Sequence, residues 1–122
     1  MPNYADEVEA TLRALADPTR RALVERLAKA PGTVTDLAEP FDMALPSFLQ
    51  HLGVLEAAGI ITTQKDGRVR TASLRPGAFD ALHLWLGEQR TPAERHADRL
   101  SIHLSRTAPT QEAPSPAFAP TS

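Results

Sequence analysis

The stretch Leu45–Leu74, LPSFLQHLGVLEAAGIITTQKDGRVRTASL, decides the fold because a helical pattern changes to a strand pattern within it. Its first half predicts a helix over Pro46–Ala58, ended by a glycine, with one buried stripe formed by Phe48, Leu52 and Leu55 at i, i+4 and i+7. Its second half is rich in β-branched residues. The Asp66-Gly67 pair between two such runs predicts a tight hairpin.

The composition limits what this unit can be part of. The chain has 122 residues, no cysteine and a net charge of −2, which predicts one small domain without disulfides or thiolate metal sites. A nucleic-acid interface must then rest on local charge. Between Ala57 and Arg75 the only acid is Asp66, against four cations: Lys65, Arg68, Arg70 and Arg75.

Helix signals precede this stretch. Apolar spacing predicts a first helix over Asp6–Leu15. Asp17 followed by Pro18 predicts the N-cap and first position of a second helix, which ends before Gly32. Thr33 lies three residues before an acid, and this spacing predicts that Thr33 is the N-cap of a short third helix. The connector after it has the length found between the two helices of a helix-turn-helix.

Two further helices are predicted after the hairpin. The first has a wide apolar face that suggests an interface. The motif Thr91–Glu94 is a capping box with proline at the first helical position, so it predicts a new helix, although one continuous helix kinked at Pro92 fits the same residues. The proline-rich composition near the end cannot bury a core. We therefore predict a domain over residues 1–105 and a disordered tail over residues 106–122.

Four motifs at matching spacing carry a family resemblance. They are LADPTRR at Leu15–Arg21, LAEPFDM at Leu37–Met43, HLGVLEAAGI at His51–Ile60 and KDGRVR at Lys65–Arg70. Together, over about residues 8–104, the chain resembles the ArsR-type transcriptional regulators, in the branch that lacks metal-binding cysteines. The resemblance implies a mainly α fold with a small β-hairpin, a winged helix-turn-helix of five to six helices plus a two-stranded wing.

The same resemblance implies the partners. It predicts a homodimer, joined through the first and last helices, that binds a pseudo-palindromic double-stranded DNA operator and represses its own operon. The residues expected at the dimer interface are Val8, Leu12, Leu82, Trp85, Leu86, Leu100 and Leu104. No signal peptide or membrane span is evident, so we expect a cytoplasmic protein without membrane contact. No cofactor is expected, and the residues do not identify a small-molecule effector.

The expected DNA contacts lie on the helix from Pro46 and on the hairpin. Gln50 is the best candidate to read a base, because its amide can pair with adenine through two hydrogen bonds. Basic residues near the Gly67 turn would contact the DNA backbone or the adjacent minor groove. The full set of expected DNA-binding residues is Pro46, Ser47, Leu49, Gln50, His51, Lys65, Gly67, Arg68 and Arg70.

Four residues leave the DNA-binding interpretation open. Ala44 stands where the family usually has a capping serine, which predicts the loss of one helix-capping hydrogen bond. Leu49 either meets a thymine methyl group or turns into the core. His51 either forms hydrogen bonds inside the helix-turn-helix or reaches a phosphate. Arg20 resembles a family position and is expected to be a structural ion-pair partner rather than a DNA contact.

Three other function classes remain. A winged-helix dimer could serve as a protein-interaction module instead of a DNA reader. A histidine-based metal sensor would draw on Asp80, His83, His96 and His103, but Arg99 stands where a ligand is wanted. An enzyme is disfavoured because the sequence shows no nucleophile–base pair and no phosphate-binding glycine loop.

Overall fold

The computed structural model describes residues 4–107, except for the side chains of Asp98 and residues 101–107. Of these, residues 4–88 form one compact unit and residues 89–107 form a second. In chain order the elements are α1 (Tyr4–Ala14), α2 (Pro18–Leu27), β1 (Gly32–Thr33), α3 (Val34–Ala38), α4 (Leu45–Ala57), β2 (Ile61–Asp66), β3 (Val69–Leu74), α5 (Asp80–Glu88) and α6 (Pro92–Thr107). The predicted winged helix-turn-helix architecture is confirmed.

The N-terminal ends of α2 and α3 are capped as the sequence predicts. An oxygen of the Asp17 carboxylate accepts a hydrogen bond from the backbone N–H of Arg20 at 3.0 Å. The Thr33 hydroxyl accepts one from the backbone N–H of Asp36 at 3.1 Å. Each bond satisfies a donor that the first turn of a helix leaves unpaired. These two caps fix where the helices around α4 begin.

The N-terminal end of α4 has no such cap. Ala44 occupies the N-cap position in an extended conformation, and no side chain accepts a hydrogen bond from the first turn. We expect Ala44→Ser to raise the free energy of unfolding by about 1 kcal/mol, because the hydroxyl would satisfy one of these donors. Denaturant titration would measure the gain. Thr33→Ala, which removes an existing cap, should change stability by a similar amount in the opposite direction.

The sheet has three strands instead of the two predicted. In the order β1-β3-β2, the short strand β1 pairs antiparallel with β3, Gly32 opposite Ala72 and Thr33 opposite Thr71. A two-residue strand carries no period that sequence could reveal. The prediction for β2 and β3 is confirmed: they form a hairpin whose turn contains Gly67 at a positive φ of 66°. We call β2, β3 and this turn the wing.

The core of the unit that ends at Glu88 lies between the helices and the inner face of the sheet. Its most buried large side chains are Phe48, Leu23, Leu55, Ile60 and Ile61. Phe48 packs against Phe41 with ring centroids 5.7 Å apart. The stripe predicted from the sequence, Phe48, Leu52 and Leu55, is the buried face of α4. The opposite face of α4 is therefore left to solvent.

α6 is a separate helix, and the alternative of one helix kinked at Pro92 is wrong. The backbone N–H of Thr91 donates to the Glu94 carboxylate at 2.9 Å, and the backbone N–H of Glu94 donates to the Thr91 hydroxyl at 3.2 Å. This reciprocal pair is the predicted capping box. The predicted tail over residues 106–122 falls outside the described residues from 108 on. No helix in the described range is long and apolar enough to cross a membrane.

Candidate nucleic-acid interface

The outward face of α4 carries the candidate base-reading residues. Pro46, Ser47 and Gln50 are all exposed, because each lies away from the stripe that Phe48 anchors in the core. In the described part of the chain, the side chains of Ser47 and Gln50 have no hydrogen-bond partner. We call the exposed residues Pro46, Ser47, Leu49 and Gln50 the reading face.

Leu49 belongs to this reading face. Its side chain is 38% exposed, whereas that of its neighbour Phe48 is 1% exposed. The structure therefore answers one question that the sequence left open: Leu49 does not turn into the core. An exposed leucine between polar neighbours can contact an apolar group of a ligand, such as a thymine methyl group.

The wing carries three candidate phosphate ligands. Lys65 and Arg70 stand directly opposite each other on β2 and β3, an arrangement of like charges that disfavours strand pairing. The side chains of Lys65 and Arg68 are exposed and form no hydrogen bond or ion pair within the described range. The fold gains nothing from these two charges, which leaves both available to an anionic partner.

Arg70 differs from the other two cations because it contacts α4. Its guanidinium lies 3.5 Å from the Glu56 carboxylate and donates to the Thr63 hydroxyl at 3.3 Å. The Thr63 hydroxyl also donates to Glu56, at 2.9 Å. The ion pair is exposed on both sides, so it contributes little stability and can open at small cost. Glu56 is not among the residues predicted from the sequence, because no local pattern marks it.

His51 leaves α4 on the side that faces the start of α2. Its Nδ1 atom lies 3.2 Å from Nη1 of Arg20 and 3.7 Å from a carboxylate oxygen of Asp17. Arg20 is held in turn by the backbone carbonyl of Ala14, to which its Nε donates at 2.7 Å. Of the two roles left open for His51, the structure shows the hydrogen bond inside the helix-turn-helix. Arg20 has the expected structural role, but its side chain forms hydrogen bonds with an imidazole and with backbone carbonyls instead of the expected ion pair.

Asp17 is the acidic member of this group. The hydrogen bond that it accepts from the backbone N–H of Arg20, helped by the positive charge of the Arg20 guanidinium, lowers the pKa of Asp17. A lowered pKa means that the folded state favours the carboxylate over the acid. The cap therefore stabilises the protein above the ordinary pKa of an aspartate, and this contribution is lost as the pH falls through the lowered value.

The residues expected at a dimer interface have different environments. Val8 is buried within its own unit, where α1 packs against α5. Leu82 and Trp85 are half-buried. The exposed members whose side chains are described are Leu12, Leu86 and Leu100. The side chain of Leu104 lies outside the described residues.

The histidines whose side chains are described do not meet in a cluster that would favour the metal-sensor alternative. Among the side chains that the structure describes, no group of three or more histidine, aspartate or glutamate residues could hold a metal ion. His103 belongs to the residues whose side chains are not described, so its part of that alternative is untested.

The reading face, the basic wing and the helix-turn-helix together define a winged-helix DNA-binding protein, and comparison with known proteins gives its family. A family model described as a helix-turn-helix domain matches residues 15–64. The chain is 43% identical over 70 residues to an HTH-type transcriptional regulator of Mycobacterium tuberculosis, a match that covers 57% of this chain and 65% of that protein. It therefore spans just under two thirds of that relative.

Two further relatives are matched over more of their length. The transcriptional repressor SdpR of Bacillus subtilis is 36% identical over 74 residues, which cover 61% of this chain and 82% of SdpR. The crystal structure of an ArsR family transcriptional regulator has a TM-score of 0.68 at 50% identity, and the match covers 73% of this chain and 92% of that one. The chain belongs to the ArsR family of winged helix-turn-helix transcriptional regulators, and it is not an enzyme.

Proposed function

We propose that this regulator binds a pseudo-palindromic operator in double-stranded DNA as a homodimer and represses its own operon. One observation carries the proposal. Four exposed residues lie on α4 and the wing, the two elements with which a winged helix contacts DNA. Within the described residues, none of their side chains has a protein partner: Ser47, Gln50, Lys65 and Arg68. Polar groups that the fold itself does not use are available to a ligand.

The geometry of a winged helix suggests which part of the DNA is contacted by α4 and which by the wing. α4 would lie in the major groove, where Gln50 reads a base edge, Ser47 reaches a base or a phosphate, and Leu49 contacts a thymine methyl group. Gly67 allows the tight turn of the wing, which brings Lys65 and Arg68 to the DNA backbone or the adjacent minor groove. Arg70 would add a contact once it leaves Glu56.

The homodimer is supported by apolar surface that the monomer leaves exposed. Leu12 on α1 is 44% exposed, and Leu84 and Leu86 on α5 are 60% and 52% exposed. Leucine side chains on two helices that pack against each other offer a surface that a second copy can cover. A twofold axis would then present two reading faces to two operator half-sites. We propose that residues 1–105 form this DNA-binding and dimerisation domain.

The repressor assignment rests on the family and on the name of the relative SdpR, which is a transcriptional repressor. A protein that controls its own operon must reach chromosomal DNA. We therefore propose that it acts in the cytoplasm.

Binding to the promoter of its own gene tests the proposal. We expect a labelled promoter fragment to be retarded at nanomolar to sub-micromolar protein. The log–log dependence of affinity on salt should have a slope of about −5, because roughly three cations per protomer would each release counterions from a phosphate. Gln50→Ala should reduce the difference in binding affinity between this fragment and random DNA, since a good two-bond base contact contributes about 1–3 kcal/mol of discrimination.

Two results would contradict specific repression. One is equal affinity for the promoter and for random DNA of the same length. The other is an affinity that does not change with salt. A reporter fused to the promoter should be expressed more strongly when the regulator's gene is deleted, and unchanged or weaker expression would exclude repression.

A further inference from the structure

The contact between Arg20 and His51 restricts where the histidine can carry its proton. Nη1 of Arg20 lies 3.2 Å from Nδ1 of His51, within hydrogen-bond distance. A guanidinium has only donors and stays protonated. Nδ1 must therefore be the acceptor, which requires a lone pair on that nitrogen. A neutral imidazole that accepts at Nδ1 carries its hydrogen on Nε2.

The surroundings of Arg20 keep it in this position. Its Nε donates to the carbonyl of Ala14 at 2.7 Å, and Nη2 donates to the carbonyl of Arg13 at 3.3 Å. Asp17 lies 3.7 Å from Nδ1, farther than a hydrogen bond extends, and its carboxylate already accepts from the backbone of Arg20. Arg20 is thus the group that the fold places against Nδ1.

The other nitrogen of the ring is left without a protein partner in the described range. The side chain of His51 is 21% exposed, so the ring is partly open at the surface. His51 follows Gln50 by one residue, which rotates it by about 100° around α4 toward the buried side. A side chain at the flank of a helix in the major groove lies nearer to the DNA backbone than to the base edges.

We propose that Arg20 fixes the His51 ring in the tautomer with the proton on Nε2, and that this N–H donates to a DNA phosphate beside α4. This inference rests on the proposed function. Arg20 acts as a positioning residue, because it orients the donor without reaching DNA itself. A phosphate oxygen suits the position, since it can only accept. The hydrogen bond fixes the register of α4 and carries no sequence information.

A neutral donor has a signature that distinguishes it from the wing cations. Counterion release scales with the positive charge placed at phosphates. Loss of an uncharged N–H should therefore weaken binding without changing the slope of affinity against salt. Loss of Lys65 or Arg68 should change both.

Two substitutions separate the two nitrogens of the ring. His51→Asn places an amide oxygen near the position of Nδ1, so it keeps an acceptor for Arg20 but lacks the outer donor. His51→Gln places an amide N–H near the position of Nε2 but loses that acceptor. We expect the Asn variant to unfold at nearly the wild-type temperature and to bind the promoter fragment about tenfold more weakly, at an unchanged salt slope. The Gln variant should be less stable and should bind DNA better than the Asn variant.

The tautomer is measured on the free protein by nitrogen-15 NMR of the histidine ring at pH 8, where an ordinary imidazole is neutral. The Asn variant identifies the His51 signals by their disappearance. We expect one tautomer with Nε2 protonated, and a mixture of both in Arg20→Gln. Arg20→Lys, which keeps an obligate donor, should restore the single tautomer.

Three results would overturn the inference: a proton on Nδ1 in the wild-type protein, wild-type DNA affinity in His51→Asn, or a shallower salt slope in that variant. Failure of the proposed function is distinguishable, because then the wild-type protein would not prefer the promoter fragment at all. In that case the phosphate contact fails with it, and the NMR spectrum of the free protein still decides the tautomer.

Discussion

Replacing both Lys65 and Arg68 with alanine is expected to lower operator affinity on the order of 100-fold or more at moderate salt, and to bring the salt slope from about −5 to about −2. The reason is the number of charges: two cations per protomer make four phosphate contacts in a dimer. Neither side chain has a partner in the described structure, so the fold should lose little stability. Titration of the promoter fragment at several salt concentrations measures both effects.

A matched control removes the same charge elsewhere. Arg13→Ala with Lys29→Ala also takes two exposed cations from each protomer, but on α1 and just after α2, outside the wing. In the described residues the side chain of Arg13 forms only an exposed ion pair with Glu9, which contributes little stability. If this control weakens binding as much as the wing variant does, net charge governs affinity, and the wing is not the site of the phosphate contacts.

Replacing Phe48 with alanine is expected to reduce the free energy of unfolding by about 3–5 kcal/mol. The side chain is 1% exposed and packs against Phe41, so its removal leaves a cavity in the centre of the core. A small domain is stable by only about 5–15 kcal/mol, and this loss is a large part of that. Thermal unfolding followed by circular dichroism should show a midpoint that is lower by more than about 10 °C.

The neighbouring residue provides the control for Phe48. Leu49→Ala removes a side chain of the same helix that is 38% exposed, and alanine is the better helix former, so stability should change by less than about 1 kcal/mol. Its effect should instead fall on DNA, as weaker binding to the promoter fragment. A large loss of stability in Leu49→Ala would mean that this side chain contributes to the core and not to the reading face.

Local patterns were sufficient to predict the helices and the hairpin. The caps at Asp17 and Thr33, the stripe on α4, the hairpin turn at Gly67 and the capping box at Thr91 each depend on residues within a few positions of one another. Propensity, periodicity and capping act over that range, and so they can be read without knowing how the chain returns on itself. The capping box at Thr91 likewise specifies the start of a new helix from residues three positions apart.

Contacts between distant residues could not be predicted in this way. The third strand exists only because Gly32 and Thr33 lie beside β3 in the folded chain. The engagement of Arg70 by Glu56 likewise depends on how the wing packs on α4. A cation on a strand has the same sequence pattern whether it faces solvent or a carboxylate. From the sequence alone, Arg70 is therefore predicted to be a free DNA contact in the same way as Lys65 and Arg68.

By itself, then, the sequence determined the helices and the hairpin, because short-range patterns specify them. It also determined the family of this regulator, because four short motifs at matching spacing carry the resemblance. Only the tertiary structure decided which side chains are exposed and which already form hydrogen bonds or ion pairs within the protein. It turned Leu49 outward, bound Arg70 to α4, and set Arg20, 31 residues away in sequence, against Nδ1 of His51. The physical reason is that a hydrogen bond or an ion pair depends on distances of a few ångströms, which are fixed only when the helices pack.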